Sequence, residues 1–464
     1  MNKVVPAGAQ ADSQESPVTR DGSEKMGLFS ATCLVVANMV GTGIFTTSGF
    51  IIQELGNSWA MLVCWALGGL FALAGALCYG ELGARYPRPG GEYVFLRESF
   101  GELVGFLSGW VSLLVGFSAP IAAAAIAFAV YFLVGVIGCP EVGLTLKYQG
   151  LTLLTLSPIT MLASGVVLAF SLVHRHSLFL GSRIQNILVV FKVALIMAFV
   201  LLGLGWGKGS LAHLTETPPA SVFFSGQFAV SLIFITFAYS GWNAAAYMGS
   251  EISRPTKNIP LALLGGTLLV TIVYLLLNLT FLYGLSPKEM SGVVEVGEKA
   301  ALALFGPRIS RVIAGVIALC LLSLISAMMM TGPRVYLAMA RDGLFFSNLS
   351  KLDNPRGTPG NAILLQAGLA LFMVITVSLQ NLLLLIGFTL SLFSLLTVVG
   401  LIVLRKRQPV SDLPYKTIGY PFTAIFFILC NFWIILFFIV SKPLVSLAGF
   451  AAILSGLLLY RLYR

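Results

Sequence analysis

The sequence predicts an all-α integral membrane protein of about 12 transmembrane helices. Of its 464 residues, 58% are hydrophobic and only 10% are charged, whereas soluble domains carry about 25% charged residues. Apolar stretches of about 20 residues, which is enough to cross a hydrocarbon core, recur along the chain. One stretch, 103 to 140, contains no charge, which excludes the alternating pattern of an outer-membrane barrel. Lipid is therefore the expected solvent for most of the chain.

Uncharged runs, divided at turn residues, predict where each helix crosses. With both termini on the cytoplasmic side, most of the 28 Lys and Arg residues fall in cytoplasmic segments, as the positive-inside rule requires. This orientation explains the net charge of +10 better than a nucleic-acid partner does. The predicted spans are 27 to 53, 59 to 80, 103 to 136, 152 to 173, 183 to 205, 223 to 248, 259 to 284, 310 to 333, 361 to 379, 382 to 404, 420 to 440 and 443 to 460.

The chain also shows signs of an internal repeat. Leu34 to Gly43 in the first helix aligns with Leu232 to Gly241 in the sixth, and each segment ends in small residues. A repeat period of five helices inserts the second copy upside down, which gives an inverted five-plus-five repeat. The predicted organisation is a polar cytoplasmic tail without a signal peptide (1–26), a ten-helix transport core (27–404) made of repeats 27–205 and 223–404, and a loop with helices 11 and 12 (405–464).

Two segments inside the spans favour broken helices, namely Gly41-Thr42-Gly43 and Tyr239-Ser240-Gly241. Unwound backbone in lipid leaves polar groups without partners, at a cost of several kcal/mol each, unless something polar binds them. The N-terminal end of the following half-helix, from Ile44, offers free N–H groups to a carboxylate. The carbonyls of the preceding half suit an ammonium group, so the two together fit a zwitterionic amino acid. The alternative is that these glycines only allow close helix packing.

Lys192 is the single charge in the interior of the fifth span, nine residues past Arg183 at its cytoplasmic end. A lysine at membrane depth costs about 3 kcal/mol by insertion scales, so it normally faces a polar partner in the bundle interior. We expect either a proton carrier or a fixed cation that occupies a sodium-like site. The alternative is a lysine whose long side chain reaches the cytoplasmic surface.

Charged residues cluster in two cytoplasmic segments, one between helices two and three and one after helix six. Glu81, Arg85 and Glu92 belong to the first, and Glu251 belongs to the second. One interpretation is an inner gate of ion pairs that alternate between states. The other is an ordinary solvated loop.

The sequence gives no sign of an enzyme, a cofactor or a metal centre. The six cysteines have no metal-binding spacing and fall mostly inside spans, where they are expected to be small core residues. Three histidines form no known catalytic motif, and no nucleotide-binding loop is present, so this chain is not expected to hydrolyse ATP.

Five motifs together resemble the amino acid–polyamine–organocation (APC) transporters, and within them the L-type amino acid transporter branch. They are Gly-Thr-Gly-Ile-Phe (41–45), the Gly-Glu-Leu-Gly-Ala-Arg segment (80–93), Phe-Ala-Tyr-Ser-Gly-Trp-Asn (237–243), 251–260 and Ala-Arg-Asp-Gly-Leu (340–344). The resemblance implies a LeuT-type fold, with helices 1 and 6 unwound at mid-membrane, and transport by alternating access.

The resemblance also assigns roles around the substrate. Backbone N–H groups of Thr42 and Gly43, at the helix start that continues with Ile44, would bind the carboxylate. Lys192 matches the helix-five lysine that replaces a sodium ion in sodium-independent members. Carbonyls for the α-amino group would come from Met39, Phe237, Ala238 and Ser240.

The side-chain pocket would be bordered by Trp242 and Asn243, with Ser118 of helix three opposite, and Phe237 would cover the site as an outer gate. This sequence has Ala-Ala-Ala at 244–246, where relatives often carry larger groups, so we expect a roomier pocket.

The expected function is sodium-independent exchange or facilitated transport of neutral L-amino acids across the cell membrane, either plasma or bacterial inner. The breaks carry no Asp or Glu, which argues against polyamines and strongly cationic side chains. Proton-coupled symport of amino acids or amines remains an alternative, as does a receptor or channel. Cys139 lies where heavy-chain-linked members place a disulfide cysteine, but we expect an unlinked chain.

Overall fold

The computed structural model describes residues 25–139, 143–148, 151–176, 178–215, 217–353, 358–408 and 413–463. Within these ranges the chain is almost entirely helical, as predicted. Of the predicted tail 1–26, residues 1–24 lie outside the described residues, as does the segment 409–412 of the predicted loop after helix 10.

The helices of the first half include one long rod with irregular turns. Glu102–Ile137 runs as α5, a π-helical segment Ser112–Ser118, α6 and a second π-helical segment Tyr131–Ile137. The α-helices are α1 Leu28–Met39, α2 Thr42–Leu55, α3 Ser58–Arg85, α4 Glu92–Phe100, α5 Glu102–Val111, α6 Ala119–Val130, α7 Pro158–His176 and α8 Leu178–Trp206.

The second half contains long spans and several short helices between them. Three of its helices, α10, α12 and α13, have ten residues or fewer. Helix α10 lies inside the predicted span 223–248, whereas α12 and α13 had no counterpart among the predicted spans. The α-helices are α9 Gly226–Ala238, α10 Ala244–Tyr247, α11 Pro255–Gly284, α12 Pro287–Met290, α13 Val296–Phe305, α14 Pro307–Arg341, α15 Gly360–Thr376, α16 Leu379–Arg407, α17 Phe422–Ser441 and α18 Pro443–Tyr463.

Ten helical stretches in the described part are long and apolar enough to cross a membrane, and Leu28–Leu55 is one of them although it is broken. Two more apolar helices are shorter, α9 with 13 residues and α15 with 17. A 13-residue helix is only about 20 Å long, so α9 needs the chain after its break to complete a crossing. The count of twelve stays a prediction.

A small β-hairpin departs from the all-α prediction. Strand β1, Leu144–Tyr148, pairs antiparallel with β2, Leu151–Leu156, and Leu144 lies opposite Leu156. The predicted fourth span, 152–173, began inside this strand, and the helix actually starts at Pro158. Extended pairing between the hairpin strands satisfies the backbone here without a helix.

Helices that the predicted repeat makes equivalent pack on one another. Helix α3 contacts α11, α6 contacts α14, α7 contacts α15, and α2 contacts α9. Such pairing is expected of two halves related by a pseudo-two-fold axis, and it brings the two predicted breaks to the repeat interface. The boundaries 27–205, 223–404 and 405–464 stay predictions.

The chain just before α1 is hydrogen-bonded to the segment after α10. The Met26 N–H donates to the Glu251 carbonyl at 2.9 Å, and the Ser253 N–H donates to the Met26 carbonyl at 2.9 Å. These bonds form an isolated parallel bridge between Met26 and Ile252, so the start of the first helix and the end of the sixth lie side by side.

Candidate substrate site

The first helix is interrupted where the sequence predicted. Helix α1 ends at Met39, α2 begins at Thr42, and the backbone of Val40 and Gly41 between them is not helical. The first N–H groups of a helix have no partner inside it, so the start of α2 presents free donors. The Thr42 hydroxyl is buried and has no hydrogen-bond partner within the described residues. A polar atom of this kind is suited to a polar ligand.

The sixth helix is interrupted as well. Helix α9 ends at Ala238 and α10 begins at Ala244, with a turn between them. Gly241 has φ = +96°, a backbone conformation that side-chain-bearing residues rarely adopt. The Tyr239 hydroxyl donates to the Trp65 carbonyl on α3 at 3.1 Å, which anchors this turn to the neighbouring helix.

The two breaks touch each other directly. A Cβ atom added to Gly43 would lie 2.3 Å from the Ala238 Cα atom, and one added to Gly241 would lie 2.7 Å from Asn38. Real atoms never approach this closely, so each glycine makes room for the opposite break. The pairing inferred from the inverted repeat therefore corresponds to a physical contact.

Two side chains satisfy carbonyls at the breaks. Lys192, buried on α8, donates from Nζ to the Val40 carbonyl at 2.7 Å, rather than reaching the surface. The Tyr274 hydroxyl on α11 lies 2.6 Å from the Met39 carbonyl and 3.0 Å from the Ala238 carbonyl. Tyr274 thus bridges both breaks, a role that its apolar sequence context did not reveal.

A cavity with about 600 Å³ of atom-free space, its opening included, lies beside the second break. Of the predicted substrate contacts, Ser240, Trp242 and Asn243 line it. The Trp242 ring packs edge-on against the Tyr79 ring, 4.6 Å between centroids. The full lining comprises Asn38, Glu92, Ser112, Gly116, Phe117, Thr236, Ser240, Gly241, Trp242, Asn243, Ala244, Tyr247, Met328, Thr331, Leu390 and Ser394.

The other predicted substrate contacts are buried but do not line this cavity. Ser118 donates to the Leu113 carbonyl at 2.6 Å, a bond over five residues that belongs to the π-helical turn. Helix three instead lines the cavity with residues close to Ser118 in the sequence, such as Gly116. The substrate role stays a prediction for Met39, Thr42, Gly43, Ile44, Phe237, Ala238 and Ser118, all of which are buried.

The predicted gate residues have different partners from one another. Glu81 is buried and pairs with Arg405 on α16, and the Thr417 N–H donates to it at 2.7 Å. Within the described ranges Arg85 pairs with no acid, and it donates to the Gln408 carbonyl at 3.3 Å. Both contacts join the end of α3 to the end of α16, so in this structure they hold these two helices together.

Glu251 does form an ion pair that could act as a gate. It lies beyond α10, and its carboxylate accepts a hydrogen bond from the Arg334 Nε atom, on α14, at 3.2 Å. Arg334 is almost fully buried, whereas about a third of the Glu251 side chain is exposed. The pair therefore connects the second half of helix six to helix eight at the edge of the bundle.

We expect this pair to stabilise the observed arrangement. Glu251→Gln and Arg334→Gln should each lower the thermal unfolding temperature in detergent, because each leaves a buried or half-buried charge without its partner. In a double-mutant cycle the coupling should amount to about 1–2 kcal/mol. The matched control is Glu98→Gln, whose partner Arg88 is 3.8 Å away and mostly exposed. Strict additivity of the two substitutions would contradict the pair's role.

The described residues contain no group of three His, Cys, Asp or Glu side chains that could hold a metal ion. Cys139 is exposed, and its thiol forms no disulfide with any cysteine of the described chain. Among the described residues, the site is therefore formed by backbone groups, hydroxyls and a few charged side chains.

A multi-span helical protein in which two broken helices meet beside a cavity has the architecture that is typical of secondary transporters. A family model described as amino acid permease matches residues 26–459. The chain therefore belongs to the amino acid permease family, which confirms the resemblance predicted from the motifs and the prediction of an amino acid transporter. The prediction of a multi-pass membrane protein is confirmed as well.

The relatives agree with this assignment over nearly the whole chain. The large neutral amino acids transporter small subunit 2 of Homo sapiens is 30% identical over 473 residues, covering 99% of this chain and 84% of the relative. The b(0,+)-type amino acid transporter 1 of Mus musculus is 28% identical over 450 residues, covering 95% of this chain and 88% of the relative. The receptor and channel alternatives receive no support from these proteins.

One relative is named as a small subunit, a name that implies assembly with another subunit. The expectation of an unlinked chain therefore gains no support from the comparisons. Cys139 precedes residues 140–142, which lie outside the described part of the chain.

Proposed function

We propose that this chain is a sodium-independent exchanger of neutral L-amino acids that works by alternating access in the cell membrane, with both termini cytoplasmic. The observation that carries the proposal is the contact between the two breaks beside the cavity. One break supplies free N–H donors at the start of α2, and the other lies beside it, at Ala238. A carboxylate and an ammonium on one carbon match this pair of backbone groups.

Two further observations support the details. Lys192 donates to the buried Val40 carbonyl, so its ammonium group occupies the position at the first break where a sodium-coupled transporter would need a sodium ion. The relative named for large neutral amino acids supports a neutral side chain, as does the largely uncharged lining of the cavity.

The test is uptake of radiolabelled amino acids into proteoliposomes that contain this chain alone. Neutral amino acids should enter several-fold faster when unlabelled substrate is present inside, and replacing sodium with choline should leave the rate unchanged. Transport by the isolated chain would also mean that no heavy chain is required for the reaction. Failure of every amino acid to bind or enter would refute the proposal.

A further inference from the structure

Glu92 lines the substrate cavity, although the sequence placed it in a charged loop. It is the first residue of α4, and its side chain is only 3% exposed. The same cavity is lined by Ser240 and Gly241 of the second break. No ion pair to Glu92 is formed among the described residues. An acid therefore lies in the cavity, although the two breaks themselves carry no Asp or Glu.

The groups that face Glu92 are neutral. The Tyr79 hydroxyl on α3 donates to Oε1, and the Asn243 side chain donates to the same oxygen at 3.4 Å. The Asn243 amide also lies 3.2 Å from the Tyr247 hydroxyl of α10. Helix α16 and the π-helical segment of helix three contribute only Leu390, Ser394, Ser112, Gly116 and Phe117 to the lining.

Nearby cations are engaged elsewhere. Arg97, on the same helix as Glu92, pairs with Asp342 at 2.7 Å. Arg334 pairs with Glu251, and Lys192 donates to Val40. None of them lines the cavity, so the described part of the protein supplies no positive charge to this carboxyl.

A buried carboxylate without a cation is energetically unfavourable. The cost disappears if the group takes up a proton or if a cation enters the cavity. Glu92 lies outside the candidate spans, and its burial raises the pKa of its carboxyl to about 7, against the opposing hydrogen bonds from Tyr79 and Asn243. Both the protonated and the ionised form are accessible at neutral pH.

We propose that Glu92 is the binding site for one positive charge within the substrate cavity, taken up as a proton with a neutral amino acid and as the side-chain ammonium or guanidinium of a cationic one. This inference rests on the proposed function and widens its substrate class. When a cationic side chain enters, the carboxyl releases its proton to water and forms an ion pair in its place. The occupied cavity then carries the same net charge with either cargo.

The two sources of charge give opposite pH dependence, which is the core of the test. Binding of leucine and lysine to the purified protein is measured at about pH 6 and about pH 8. For a group that titrates near neutrality, lysine affinity should rise about tenfold over this interval because the ionised form binds it. Leucine affinity should fall about tenfold because the protonated form binds it.

Substitutions at the carboxyl identify the group responsible. Glu92→Gln should flatten both pH profiles and, at about pH 8, lower the ratio of lysine to leucine affinity at least about tenfold, whatever its effect on absolute affinity. Tyr79→Phe removes a hydrogen bond that lowers the pKa of Glu92, so the midpoint of both profiles should move to higher pH. The control Glu98→Gln, on the same helix but outside the cavity, should keep both slopes.

The outcomes separate this inference from the proposed function. Unchanged slopes and an unchanged affinity ratio in Glu92→Gln would overturn the inference, as would failure of lysine to bind at any pH. If no amino acid binds, the proposed function fails, and infrared difference spectroscopy of the protein still reports on Glu92. A protonated-carboxyl band that titrates near neutral pH and is lost in Glu92→Gln would support the charge site, and an unaltered spectrum would exclude it.

Discussion

Gly43→Leu is expected to abolish amino acid uptake while the protein still reaches the membrane. Even the Cβ atom would lie 2.3 Å from the Ala238 Cα atom and 2.7 Å from the Ala238 Cβ atom. The obstacle is backbone and cannot rotate away, so the two breaks must separate. The effect should appear as loss of both binding and transport in proteoliposomes.

Matched glycines show whether the effect is specific to this contact. Gly165 lies on α7 with nothing within 4 Å of an added Cβ atom, so Gly165→Leu should transport normally. The atoms nearest to a Cβ added at Gly41 belong to the Leu324 side chain, which can change rotamer, so Gly41→Ala should retain more activity than Gly43→Ala. Normal uptake by Gly43→Leu would exclude the proposed site.

Lys192→Ala is the second substitution with a large expected effect. The lysine is 1% exposed and donates to the Val40 carbonyl at 2.7 Å, so the substitution leaves a buried acceptor unpaired next to the first break. Losing a charged hydrogen bond of this kind costs about 1.5–3 kcal/mol, which corresponds to about a tenfold to hundredfold loss. Uptake should fall by that factor, and its pH profile should change if Lys192 carries protons.

The neighbouring residue provides the control. Phe191 is about half exposed on the same helix, and Phe191→Ala should transport at nearly the original rate. Adding sodium to Lys192→Ala tests the fixed-cation interpretation, because an ion occupying the vacated position would restore part of the rate. An unchanged rate and pH profile in Lys192→Ala would remove the residue from the mechanism.

The sequence was informative where local chemistry determines the structure. Gly-Thr-Gly at 41–43 and the glycine at 241 marked both breaks, because few other residues permit unwound backbone and close approach. The hairpin was missed because Leu-Thr-Leu-Leu-Thr-Leu at 151–156 is apolar enough to resemble the start of a span.

Partners that are distant along the chain could not be predicted from one sequence. Glu81 pairs with Arg405, 324 positions away, although Arg85 was the nearer basic residue. Tyr274 sits in an apolar span, and only the folding of α11 against α1 brings it to both breaks. Glu92 belongs to a charged motif in the sequence. Only the structure shows that it is the first residue of α4 and that it lines the cavity.

The bridge between Met26 and Ile252 has a practical consequence for measuring motion. Because the start of the first helix is hydrogen-bonded to the segment after α10, a fluorescent label at Gly27, which has nothing within 4 Å of an added Cβ atom, would sense displacement of that segment. Any displacement of the second half of helix six could then be followed without altering a residue inside the substrate cavity.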